Sequence, residues 1–137
     1  MPLGVYRESL ELQSAGAPFE TEAGTFIVRR SGTEEYWKKR REIVARLYGV
    51  YLQPKPEQES VILANMLAEY TVSGWSGVYS DDGEGEEIVY SMSASREIFL
   101  NKEYFLSLNR AIEEFSCNFT GYLHLRSEED LEALKKK

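Results

Sequence analysis

The sequence predicts an α+β fold, mainly α: a compact bundle of about four to five helices with short N-terminal strands and a small hairpin near 76–90. Three observations lead there. Apolar residues recur at helical spacing in several stretches beyond residue 33, the first thirty residues alternate and turn instead, and a Gly- and acid-rich segment separates two β-prone runs at 76–79 and 87–90. The 137 residues match one domain, and 42% hydrophobic against 28% charged residues leaves enough apolar area to offset the entropy of ordering the chain. A single domain over 1–137 follows, with a strand-rich part at 1–30 and a movable helix at 127–137.

Taken in order, Ser9 to Gln13 alternates apolar with polar, and Phe26-Ile27-Val28 follows the turn-like Glu22-Ala23-Gly24, so short strands joined by tight turns are expected. Ser31-Gly-Thr-Glu34 has the form of a capping box, and Trp37, Ile43, Val44, Leu47, Tyr48 and Tyr51 follow at helical spacing, predicting a helix over about 33–49. After Pro54 and Pro56, the run Val61–Tyr70 is apolar nearly all round, with Asn65 and Glu69 one turn apart as its polar pair. That pattern predicts the central, most buried helix. Ser93 is a candidate cap for a short helix carrying Ile98, Phe99 and Leu100. Asn101 is a candidate cap for a longer one, with Phe105, Leu108, Ile112, Phe115 and Phe119 on one stripe. Ser127-Glu-Glu-Asp130 opens a last helix that ends in Lys135 to Lys137, a charge order the helix dipole favours. It has only Leu131 and Leu134 to bury.

The chemistry-bearing residues are few. His124 is the single histidine, and no Ser or Cys motif surrounds it, so no catalytic residue is assigned. Cys117 is the one cysteine, placed by its neighbours Ile112, Phe115 and Phe119 in a buried helix, as a reducing compartment suits. One His and one Cys cannot furnish a zinc site. The acidic tip Asp81, Asp82, Glu84, Glu86 and Glu87 lacks calcium-loop spacing and reads as solvated turn, and its carboxylates repel phosphate. No cofactor and no metal are expected.

A net charge of −7 opposes nucleic acid, and the cations Arg29, Arg30, Lys38, Lys39, Arg40 and Arg41 read as a solvated helix face balanced by Glu34, Glu35 and Glu42. Nucleic acid is disfavoured as a partner. The chain begins with neither a basic nor an apolar leader, and no apolar run is long enough for a bilayer, so neither secretion nor membrane insertion is expected. Trp37, Tyr48, Tyr51 and Phe105 fall on helical stripes and read as core. Trp75 instead lies in Gly-Trp-Ser-Gly, as a plug over one end of the core or an anchor for a partner. The candidate partner-binding residues are Trp75, Leu131, Leu134, Lys135, Lys136 and Lys137.

One stretch carries a family likeness. An apolar helix ends in Tyr70-Thr-Val-Ser-Gly-Trp75-Ser-Gly77-Val78, followed by an acidic Asp82-Gly83 turn, the run Ile88-Val89-Tyr90-Ser91, and Ser93-Ala-Ser-Arg-Glu-Ile-Phe-Leu100. Asn101-Lys-Glu-Tyr-Phe-Leu-Ser-Leu108 then leads into the stripe of Ile112, Phe115 and Phe119. This order, over roughly half the chain, resembles the tail assembly chaperones of long-tailed (siphophage-type) bacteriophages; the inserted Glu84-Gly-Glu86 departs from it by lengthening the turn. The resemblance implies a non-catalytic protein of the host cytoplasm that binds the tape-measure protein, recruits tail-tube subunits and is absent from the mature virion. It also implies a longer form made by translational frameshifting, for which an A-rich run encoding Lys135–Lys137 is a candidate slippery site. The main alternative is a structural head-tail joining or tail-completion subunit, and a third is a metal-dependent hydrolase built on the acidic tip. Homo-oligomerisation is left open.

Overall fold

The computed structural model describes residues 2–49, 53–80 and 85–124. Among the described residues, five α-helices and one three-stranded antiparallel sheet make an α+β fold that is mainly helical, as the periodicities predict. In chain order these are α1 (Leu10–Ala15), β1 (Ala17–Thr21), β2 (Gly24–Val28), α2 (Glu34–Tyr48), α3 (Pro56–Met66), β3 (Val72–Ser76), α4 (Met92–Phe99) and α5 (Leu108–Cys117). Short 3-10 turns occupy Leu3–Tyr6, Lys102–Tyr104 and Phe119–Tyr122.

The sheet order is β1-β2-β3, with Phe26 opposite Phe19 on one side and Trp75 on the other. Gly24 makes the β1–β2 turn possible. Its φ of 135° suits glycine, and a Cβ there would stand 2.7 Å from the Ser76 carbonyl oxygen.

The apolar run after Pro56 is the central element, and it serves two cores. Within α3, Ile62 and Met66 pack with Ile43 and Val44 of α2. The helix then widens into one π-helical turn, Leu67–Thr71, whose Leu67 and Ala68 join Phe26, Val28, Val72, Phe99 and Ile112. Residues 7–9 and 122–124 are strapped together: Ser9 N–H donates to the Tyr122 carbonyl at 2.7 Å and His124 N–H to the Arg7 carbonyl at 2.6 Å. The fully buried Tyr122 donates its hydroxyl to the Val28 carbonyl at 2.7 Å, fastening that strap to the sheet.

Several local expectations need correction. Residues 9–13 form the start of a helix, not a strand: the Ser9 hydroxyl accepts from Leu12 N–H as an N-cap, and Gly16 at φ 106° ends the helix. Five alternating residues fit either period. The α2 cap is Thr33 rather than Ser31, and the α4 cap is Ser91 rather than Ser93, each hydroxyl accepting a first-turn N–H. In the 76–90 stretch the ladder strand lies earlier, at 72–76, and pairs antiparallel with β2, with a register shift between Ile27 and Val28. Residues 87–90 do return alongside it, but through one backbone bond, Ile88 N–H to the Val78 carbonyl at 2.7 Å.

The long helix expected from Asn101 to Phe119 is only Leu108–Cys117. Asn101 and Asn118 side chains accept N–H groups two residues on, making turns that compete with helix at both ends. Cys117 is exposed at the end of α5, with its Sγ 3.2 Å from the Ser31 hydroxyl, instead of buried. Trp37 is 47% exposed and stands edge-on to Tyr36, because the buried face of α2 centres on Ile43 and Val44. Tyr51, most of the acidic tip (Asp81, Asp82 and Glu84) and the helix expected at 127–137 lie outside the described residues.

Candidate interaction surface

Trp75 is the one sequence-selected binding residue that the described structure contains; Leu131, Leu134 and Lys135 to Lys137 fall outside it. Its indole is half-buried on β3, edge-on to Phe26, Phe99 and Tyr90, and its N–H donates to the Ile88 carbonyl at 2.7 Å. This bond and Ile88 N–H to Val78 hold residues 88–90 against the sheet.

Beside that fastening lies an open groove of about 600 Å³. Its floor is Phe26 and Val78, both buried, and its walls are half-buried Ile88, Ile98 and Leu108. Tyr79, 47% exposed, stands at the edge with Glu22 and Glu103. The β1–β2 turn, the segment after β3, α4, the 3-10 turn and α5 all contribute, so no single stretch of sequence announces it. Both carboxylates are exposed, and among the described residues neither forms an ion pair and no Lys or Arg lines the groove.

Around Glu69 the charges are paired with one another. Glu69, on the π-helical turn and with a side chain only 11% exposed, is met by Arg46, by Arg96 at 2.8 Å and by Lys39 at 3.5 Å. The Arg46 hydrogen bond, with the nearby positive charges, overcomes burial and holds the Glu69 carboxyl down at about 2. Arg46 also reaches the Asn65 side-chain oxygen at 3.4 Å, so the polar pair singled out on the apolar run shares one arginine. A second hollow, of about 460 Å³ between α2, α3 and α5, carries mixed charge, with Arg40 paired to Glu59 at 2.9 Å and Arg110 and Glu113 also lining it.

The six cations near α2 do not form one surface. Arg29 donates to the Ser14 carbonyl and lies over Tyr70, Arg30 pairs with Glu8 at 2.7 Å, Lys39 and Arg40 bind Glu69 and Glu59, and only Lys38 and Arg41 point clear. Among the described residues no group of three His, Cys, Asp or Glu side chains could hold a metal ion. No helix of the described residues is long and apolar enough to cross a membrane. His124 is exposed, anchored by its backbone alone in the strap to Arg7.

No protein-family model matches the chain, no curated protein matches it, and no solved structure matches it.

Proposed function

We propose that this chain works by holding another protein and, on the resemblance of residues 61–119, that it is a tail assembly chaperone of a long-tailed bacteriophage. In this reading it acts without catalysis in the host cytoplasm, keeps the tape-measure protein from premature aggregation and recruits tail-tube subunits. The observation that carries the protein-binding part is the open groove walled by half-buried Ile88, Ile98 and Leu108 with exposed Tyr79 at its edge, because apolar surface left accessible beside an ordered core is what a partner covers. The C-terminal residues Leu131, Leu134 and Lys135 to Lys137 are proposed as a second contact, and a longer frameshifted form as a further partner.

The test is to express the native coding DNA with its downstream reading frame and to look for a longer product, then to analyse purified particles by mass spectrometry. A longer product together with absence from particles is the expected result. Presence in stoichiometric amount in purified particles overturns the chaperone reading in favour of a head-tail joining or tail-completion subunit.

A further inference from the structure

The groove between the sheet and α4–α5 has one sign of charge at its edge. Glu22 stands on the β1–β2 turn and Glu103 on the 3-10 turn after α4, both at the mouth and both outside every ion pair of the described residues. In a chain of net charge −7 the wider field has the same sign. Glu8, Glu59 and Glu69 each have an arginine within 3 Å, whereas the described residues that line this groove include no Lys or Arg. Two exposed carboxylates flanking an apolar floor favour cations placed beside an apolar segment, and they penalise an acidic one by like-charge repulsion.

From this geometry we infer that the groove takes an apolar segment of a protein partner that carries lysine or arginine at its edges. The inference rests on the reading of this chain as a protein-binding factor and names the chemistry of what it binds. Ile88, Ile98, Leu108 and Tyr79, lying over the buried Phe26 and Val78, receive the apolar side chains, and Glu22 and Glu103 face the cations. A volume of about 600 Å³ accommodates a few large side chains, so the segment is short and its charges are read at the rim. Rim charges reach water, so the charge preference is salt-dependent while the apolar contact persists.

The experiment uses the full chain and two labelled synthetic peptides, one with leucine and isoleucine on one face and lysine on the other, and one with every lysine replaced by glutamate. Binding is read by fluorescence anisotropy and located by amide chemical-shift changes. The lysine peptide is expected to bind about tenfold or more tightly than the glutamate peptide at low salt. Its shifts should fall on residues 22–26, 77–80 and 98–108. Exchanging the rim as Glu22→Lys with Glu103→Lys, at exposed positions that leave the melting temperature unchanged, is expected to reverse the preference.

Equal affinity for the two peptides, no response to the rim exchange, or shifts elsewhere on the protein would each overturn the inference. Shifts on the same residues that grow with the protein's own concentration, without peptide, would also overturn it by making a second copy the occupant. A chain absent from particles that is nonetheless indifferent to peptide charge loses this inference and keeps the chaperone reading.

Discussion

The groove at the sheet and the hollow between α2, α3 and α5 are similar in size, yet their charges are used in opposite ways. At the α2 side Arg40 is paired to Glu59, and nearby Arg46, Arg96 and Lys39 converge on Glu69. At the sheet side Glu22 and Glu103 stand at an apolar mouth, outside every ion pair of the described residues. Charges spent on one another fix how helices sit, whereas charges left in solvent beside apolar surface remain free to select what comes next. On the proposed reading, the difference separates the part of the molecule that holds itself together from the part offered to a partner.

The β1–β2 turn beside the groove gives the largest expected effect. Gly24→Ala forces a side chain into a left-handed backbone and against the Ser76 carbonyl, and should cost about 3 kcal/mol of unfolding free energy in a denaturant titration. The loss should be accompanied by weaker peptide binding, since the turn carries Glu22 and Ala23 of the groove.

Next comes the charged centre. Glu69→Gln leaves Lys39, Arg46 and Arg96 facing one another and should cost about 2 kcal/mol, below the usual loss for a broken buried pair because the three cations reach water. It should leave peptide binding in the groove unchanged, and a loss of binding would break the separation of roles.

The same carboxylate sets a pH dependence. The folded protein binds the Glu69 proton more weakly than the unfolded chain does, so its contribution is complete above about 4.5 and is lost as pH falls from there toward about 2. Acid titrations of the protein and the Glu69→Gln variant should converge over that range. A much smaller effect, about 0.5 kcal/mol, is expected for Glu59→Gln, because its bond to Arg40 is largely solvent-exposed. Thermal melts of that variant at low and high salt check this.

The elements legible in the sequence were those whose apolar period ran long enough to exclude the other period. Val61–Tyr70 and Phe26–Val28 are buried largely as their patterns require, and the capping logic placed the starts of α2 and α4 to within two residues while missing that of α5. Ser9–Gln13 was too short to choose between periods until the Ser9 cap and Gly16 decided it. The stripe from Phe105 to Phe119 concealed two breaks, because a side-chain bond at Asn101 or Asn118 leaves the apolar spacing untouched.

Asn65 and Glu69 stood out as polar positions on an apolar helix, but their arginine lies on α2, which no local pattern reveals. The groove was not legible for the same reason: its walls come from segments up to about eighty residues apart, and each wall residue alone looks like ordinary core. Trp75 carried the nearest signal, since its neighbours Ile88 and Phe26 belong to the groove.

The most direct measurement places a photo-crosslinking amino acid at Ala23, on the exposed lip of the groove, and a control at exposed Glu114 on α5, during assembly in the host. The account predicts that Ala23 crosslinks to a partner polypeptide through a segment combining apolar and basic residues, while position 114 does not. Crosslinking from position 114 alone, or to an acidic segment from Ala23, would contradict it.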